Sequence, residues 1–531
     1  MGWRALGDSA WLFEPGGTDS ADRLGRVLDL HERLRDHRIP EVNDIVSSFE
    51  SVAVHFDPTD GEAVLDCLLE LPPVESRATP STLRRFEMPV QYGGEHTDLD
   101  DIARQLGLDP GAVVAMHCGA EYRVAAIGFS PGFPYLLGLD ERLALPRKPS
   151  PLTVPPGAVA MANGQAGVYP CASHGGWHVL GRTDTRLFDL SQPEPALLRP
   201  GDRVRFVPVG GIPLRKEART TPAIGTGIEV LDPGWFATVQ DLGRPGHRAS
   251  GVTAGGAADP VAARVANRLV GNPDGAALLE CAGSGPLLRF DAETAAAWIG
   301  WAEDSGRPDV IPAGGILDLR SRMNHARGYL AVAGGIDAPL VLGSRSTDVR
   351  AGFGGWHGRA LCKHDRLAVG NPAKPPIKRG DWRVGWPRAE RTLQVRFVSG
   401  MQAAWFDEAS RASFRRSIYQ TSASGDRTGM RLKGPCLALT EPRGLVSQPV
   451  VAGSIQVPPD GVPIVLMPEC QTIGGYPQIG HVISADLPAL ARALPGTPVT
   501  FREVSLDEAR AAWLETRREL AFLTAGLLLL P

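Results

Sequence analysis

The sequence predicts a mainly β protein with α+β parts, in which a small α/β segment leads a β-barrel and a second strand-rich half follows. Three observations carry this. Gly (62) and Pro (46) punctuate short apolar runs, while apolar residues still make up 43% of the 531, so cores can form. Between residues 84 and 209, short alternating pieces such as "RFEMPVQYGG", "YRVAAIGF", "GAVAMAN", "WHVLGRT" and "RVRFVPV" are separated by turns, the texture of a closed sheet. Two motifs of the first half are echoed, in order, in the second.

The elements follow in chain order. "DSAWLF" (8–13) is a strand. "DSADRLGRVLDLHERLRDHRI" spaces Leu24, Val27, Leu28, Leu30 and Leu34 near a 3.6-residue period behind Asp19 and Ser20, which predicts an amphipathic helix. "SVAVHFDP" alternates as a strand and "GEAVLDCLLEL" is a second helix. One helix interrupts the barrel pieces, "DLDDIARQLGL", with Thr97 as its expected cap. "GGIPLRKEARTTPAIGTG" is a linker. In the second half, "DPVAARVANRLVG" is a helix begun by Asp259 and Pro260, and "SLDEARAAWLETRRELAFL" one begun by a Ser505/Glu508 capping box. The expected division is a small α/β domain over 1–82, a barrel domain over 83–210, a linker over 211–227, β domains over 228–505 and a terminal helix over 506–531.

The echoes pair "VPPGAVAMANGQAGVYP" (154–170) with "VPPDGVPIVLMPECQTIGGYP" (457–477), and "LRPGDRVRFVPV" (198–209) with "ALPGTPVTFREV" (493–504). Two landmarks in one order point to the same β unit in both halves, which would bring equivalent loops together.

Charge and motifs narrow the chemistry. A net charge of −4 gives no reason to expect nucleic acid or an anionic membrane. Seven scattered Cys without a CxxC pair are expected to be reduced thiols in a cytoplasmic protein. The first residues lack a signal-peptide pattern, and the twelve apolar residues of "LAFLTAGLLLLP" fall short of the roughly 20 a bilayer needs. There is no Walker-type phosphate loop, no HExxH, no clustered His/Cys and no G-x-S-x-G elbow, so no tightly bound metal is expected. What remains are polar clusters in Gly-rich turns: "PCASHGGWHVLGRT", "TVQDLGRPGH", "GSRSTDVRAGFGG", "ASGDRTGMRLKGP" and "ECQTIGGYPQIG". Backbone can approach a ligand closely in such turns, and their arginines suit a carboxylate or phosphate. "GFSPGFPYL" (128–136) lacks the Lys of a phosphate loop and reads as a rigid turn that lines a pocket with rings. Replacing Gly132 by Val is expected to impair activity more than folding.

These residues also carry a family resemblance. The run from "GFSPGFPYLLGLDERLALPRKPSP" to "SHGGWHVLGRT" resembles the B component of 5-oxoprolinase, the KipI-like or allophanate hydrolase subunit 1 family. "PGWFATVQDLGRPGHRASG", "GSRSTDVRAGFGG", "GDRTGMRLKGP" and "GSIQVPPDGVPIVLMPECQTIGGYP" resemble its C component, the KipA-like or carboxyltransferase family. The resemblance implies cyclophilin-like β-barrels in both halves. It also implies ATP-dependent opening of the 5-oxoproline lactam to glutamate, with Mg2+ arriving with the nucleotide. A separate LamB/YcsF-type protein, the A component of such an enzyme, is the implied partner, and a homo-oligomer is expected. Related domains leave two alternatives: biotin-dependent carboxyl transfer to a urea-like substrate, or a regulatory module binding a histidine kinase. His174, Glu469 and Ala258 depart from the family pattern. The candidate proton carriers are His117, His174, Asp241, Asp259 and Asp426. Candidate substrate or ATP contacts are Arg147, Lys148, Tyr169, Arg182, Gln240, Arg244, Asn267, Arg345, Arg350, Arg427, Gln471 and Tyr476, with Phe129, Phe133 and Tyr135 as an apolar wall.

Overall fold

The computed structural model describes residues 2–72, 84–149, 152–212, 227–301, 306–372, 383–386, 392–441 and 443–529; most of the expected linker lies outside them. The chain begins with a four-stranded antiparallel sheet in the order Arg4–Ala5, Ala10–Phe13, Val52–Phe56, Val42–Ser47. The five apolar residues that the period picked out in helix Ser20–His37 are all buried: Val27, Leu30 and Leu34 pack on the sheet, and Leu24 and Leu28 face the barrel that follows. Asp19 caps the helix by accepting from the N–H groups of Ala21 and Asp22.

Two closed seven-stranded barrels follow, separated by a pair of sheets. Round the first barrel run Gln165–Val168, Pro134–Leu137, Tyr122–Ile127, Arg203–Pro208, Arg85–Tyr92, His178–Arg182 and Ala158–Ala162. Round the second run Ile464–Leu466, Gly429–Lys433, Tyr419–Thr421, Pro498–Glu503, Leu393–Ser399, Gln478–Val482 and Ser454–Gln456. Numbered within each barrel, both cycles read 5-3-2-7-1-6-4. In each, the last strand pairs parallel with the first, Arg203–Pro208 with Arg85–Tyr92 and Pro498–Glu503 with Leu393–Ser399. The second sequence echo is therefore the closing strand of each barrel.

The first echo is real but shifted in register. Gly157 precedes the strand Ala158–Ala162, and its equivalent before Ser454–Gln456 is Gly453, not the glycine of "VPPDG". Both hold a positive φ (78° and 95°), and an added Cβ would strike the carbonyl oxygens of Thr183 and Val482 respectively. The "VPP" that catches the eye at 457 is an unrelated turn after that strand.

Each barrel carries a two-stranded ribbon laid over its outer wall, Leu152–Val154 with Ser173–Gly175 on the first and Gln448–Pro449 with Ile473–Gly474 on the second. Wall residues alternate, as strands require. Val159 and Met161 enter the first barrel's core, whereas Ala158, Ala160 and Ala162 face outward beneath the ribbon.

Between the barrels, a four-stranded sheet (Ile316–Asp318, Leu287–Phe290, Gly227–Asp232, Arg366–Ala368) shares a core with a five-stranded one (Phe236–Gln240, Leu278–Ser284, Arg322–Val332, Thr294–Ile299, Pro308–Ile311). Helix Pro260–Leu269 covers the second sheet.

Two helix readings need correction. Asp98, not Thr97, precedes helix Leu99–Leu106; the Thr97 hydroxyl donates to the Gly94 carbonyl instead. A further helix, Pro110–Gly119, follows it, capped by Asp109. All seven Cys are free thiols. No helix among the described residues is long and apolar enough to cross a membrane.

Candidate functional site

The two halves meet at the turn 128–136. Its backbone folds on itself: Ser130 N–H donates to the Gly128 carbonyl (2.7 Å) and Phe133 N–H to the Ser130 carbonyl (3.0 Å). The second half clamps it. Gly132 N–H donates to the Ser250 carbonyl (2.9 Å), a Cβ on Gly251 would lie 2.5 Å from the Ser130 oxygen, and one on Gly128 would lie 2.4 Å from Ile473. The turn is thus a joint as well as a wall. Phe129 holds φ 67°, a left-handed conformation costly for an aromatic residue by roughly 1–3 kcal/mol. That conformation sets its ring edge-on to Phe133 (5.3 Å between centroids) and Tyr169 (6.1 Å), with the Arg350 guanidinium 4.9 Å above it. Phe133, Tyr135, Tyr169 and Trp177 continue the wall in edge-to-face contacts. Burial pushes the Tyr169 phenol up to about 12 and raises that of Tyr135.

Behind this wall, in the second half, the Arg- and Asp-bearing turns converge. Asp241 accepts from the hydroxyls of Ser344 and Ser346 (both 2.6 Å) and from the N–H groups of Gly243 (2.8 Å) and Arg345 (2.6 Å). It pins the 344–346 turn to the end of strand Phe236–Gln240. Arg244 is 1% exposed, donates to the Ser346 carbonyl, and lies over Phe353 (5.1 Å), whose ring stacks on Phe188 of the first half. Its Nη1 has no partner among the described residues. Nearby, buried Arg427 donates to Glu280, Glu469 and the Gly256 carbonyl. Burial opposes its charge, but the two carboxylates outweigh burial and raise its pKa. Burial likewise acts to raise Glu280, yet Arg427 and Arg327 together hold its carboxyl below the usual range. At Glu469 burial is the largest influence and, with the like charges of Asp348 and Glu280, outweighs Arg427, so its pKa rises.

Phe129, Phe133, Tyr135, Tyr169, Arg350, Asp241, Arg244, Arg345 and Arg427 therefore gather around the joint. Arg345 also donates to the Ala338 carbonyl and pairs with Asp337. Gln471 sits half-buried beside Gln456, and Tyr476 is 40% exposed near the rim. Gln240 is buried and donates to Thr238 and to the Thr347 carbonyl. His174 is exposed on the first ribbon, and Arg147 is exposed. Lys148 pairs with Asp98 (2.6 Å), and Arg182 donates to the Ile212 carbonyl.

Four candidates are occupied by the fold. His117 is buried on helix Pro110–Gly119, bonded to the Tyr92 hydroxyl (2.7 Å) and stacked on Phe206; burial pulls it down to about 3, a neutral core histidine. Asp259 caps helix Pro260–Leu269 and pairs with Arg492. Asn267 donates to the carbonyls of Asp274 and Ala276, stapling the loop after that helix. Asp426 closes an exposed turn by accepting from Thr428 and Gly429 N–H.

Sequence reasoning missed Glu280, Arg327, Ser344 and Ser346. The signal for Glu280 was present: a single charge in the apolar strand "ALLECAG" demands a buried partner. Among the described residues no group of three or more His, Cys, Asp or Glu could hold a metal.

The frame is thus two barrels of one strand plan, joined at a clamped turn, with a buried ionic knot tying the second barrel to the central sheet. The model for "carboxyltransferase domain, subdomain C and D" matches residues 1–198, and that for "subdomain A and B" matches 250–503. The chain is 38% identical over 309 residues to the C component of 5-oxoprolinase from Escherichia coli K12, spanning 55% of this chain and 96% of that one. It is 42% identical over 207 residues to the B component of 5-oxoprolinase from E. coli O157:H7, spanning 38% and 94%. The crystal structure of TTHA0988 superposes with a TM-score of 0.80 at 34% identity, over 93% of this chain and 99% of that one. The urea amidolyase of K. lactis shares the fold at 21% identity and a TM-score of 0.52. The chain belongs to the carboxyltransferase-domain family of 5-oxoprolinase B and C components (KipI/KipA-like), with both fused in one polypeptide.

Proposed function

We propose that this chain is the fused B and C component of a 5-oxoprolinase, opening 5-oxoproline to L-glutamate at the expense of ATP, together with a LamB/YcsF-type protein. The observation that carries the reading is that one chain matches nearly the full length of both relatives, in B-then-C order. The joint supports it, because its rings and arginines come from both halves.

The chemistry sets the demands. A five-membered lactam is a resonance-stabilised amide with a poor leaving nitrogen. Transfer of the ATP γ-phosphoryl group to the amide oxygen releases ADP and makes the carbon electrophilic. Water adds there, the ring C–N bond breaks with the nitrogen taking a proton, and a second water hydrolyses the acyl phosphate. Such steps depend on positioning and charge stabilisation. In this reading Arg350, held over Phe129, receives the substrate carboxylate. The spare donor of Arg244 stabilises charge growing on the activated amide, and the Phe133–Tyr135–Tyr169 wall excludes water. His174 is the one candidate proton carrier that is both exposed and free of a side-chain bond among the described residues.

The test is glutamate production from 5-oxoproline, with and without ATP and with and without the LamB/YcsF-type protein. Glutamate is expected only when all components are present, and Arg244→Lys should lower kcat/KM about 100-fold, the scale of losing one charge-stabilising donor. Folded protein that yields no glutamate under any combination would overturn the reading.

A further inference from the structure

The outer walls of the two barrels are built on one plan but carry opposite chemistry. Under the first ribbon, Ala160 pairs with Val179 and both pack against the aromatic wall. The equivalent pair in the second barrel is Gln456 with Gln478. They are 2% and 0% exposed. Neither the Nε2 nor the Oε1 of Gln478 has a hydrogen-bond partner among the described residues, and neither does the Nε2 of Gln456. Gln402 and Gln448, also buried, touch each other at 3.3 Å, and Gln402 accepts from the Gln478 N–H. Gln471 donates weakly to Gln456 (3.5 Å) and brings the cluster to the surface.

Buried carboxamides are normally satisfied. Exchanging O and N does not rescue Gln478, since both of its atoms lack partners. The fold does not require polarity there, because the twin wall is apolar at the same two positions. The unmade bonds therefore point to a guest with matching donors and acceptors. A carboxamide offers a carbonyl beside an N–H, and its complement is another amide whose C=O and N–H lie on the same side. In an open-chain amide that cis form is disfavoured; in a lactam the ring enforces it. The location also fits. Gly474 lets the Gln456 amide approach, since a Cβ there would lie 2.6 Å from its Nε2, while Thr472 and Ile473 of the same ribbon touch Gly128 at the joint.

We propose that the glutamine face beneath the second ribbon recognises the lactam amide of the substrate, with Gln478 pairing to its C=O and N–H edge and Gln456 orienting it. The proposal rests on the lactam-opening reading, but one arm of its test does not.

In the activity arm, the full chain is assayed with the LamB/YcsF-type protein. Gln478→Leu should raise KM for 5-oxoproline at least tenfold and leave KM for ATP unchanged. It should also raise the melting temperature, because an unsatisfied amide is removed. A higher melting temperature with an unchanged KM would mean that the face holds only water, and would overturn the proposal. In the binding arm, ligand-observed NMR on the intact chain compares 2-pyrrolidinone with N-methyl-2-pyrrolidinone, which lacks the N–H. Preference for the first by tenfold or more, abolished in Gln478→Leu, supports the proposal. Equal binding of both, or of neither, overturns it. If the wild-type chain makes no glutamate the functional reading falls, and the pyrrolidinone pair still decides whether the face is an amide site.

Discussion

Single atoms decide several outcomes at the joint. Gly132 has φ 77°, and a Cβ there would lie 2.7 Å from the Leu187 carbonyl oxygen. Gly132→Val should therefore cost more than about 2 kcal/mol of stability, because a β-branched residue is forced into the left-handed region against backbone. The melting temperature should fall together with activity, which replaces the sequence expectation that activity would suffer more than folding. Arg427→Ala would strand Glu469 in the interior and leave Arg327 as the cation beside Glu280; a loss of about 3–5 kcal/mol in denaturant unfolding is expected. Aromatic and basic candidates were legible at this scale because motif chemistry is written in residue types. Their burial was not. Nothing local in "GAVVAMHCG" shows that His117 is enclosed, since the Tyr92 and Phe206 that enclose it come from distant strands.

At the level of elements, helices that combine a polar cap with a one-sided apolar stripe were plain from sequence. The terminal helix Leu506–Leu528 has both halves of its capping box in place. Ser505→Ala should cost about 1 kcal/mol, read as a lower melting temperature and as loosened packing of Leu520, Leu523 and Leu527 against helix Pro260–Leu269. Helix Pro110–Gly119 escaped notice because its apolar residues are not confined to one face: Val113 enters the core while Val114 and Met116 pack at its margin, so no period stands out. Strand existence was legible from alternation. Register was not, as "VPPDG" showed: similar turns occur at different points of equivalent strands, and only hydrogen-bond partners distinguish them.

Across the whole molecule, buried histidines tie stability to pH, and His117 and His481 show how. Burial lowers His117 to about 3 and His481 to about 4, against roughly 6.5 in an unfolded chain. Between those values the unfolded state binds protons that the folded state refuses. Their contribution is complete above about pH 6.5 and is lost as pH falls, by about 2 kcal/mol per histidine at pH 5. His481→Gln should flatten the melting-temperature profile between pH 5 and 7 while leaving it little changed at pH 8. The halves themselves are held by bonds that no local reading could supply: Asp8 accepts from Ser484, and Asp44 from the Gly246 and Arg248 N–H groups. A chain with two barrels of identical connectivity runs a risk while it folds, because a strand of the ribbon-covered wall from one can enter the gap left for the other. The unlike surfaces under the ribbons disfavour that exchange, since a crossed assembly would press bare carboxamides onto phenyl and indole rings.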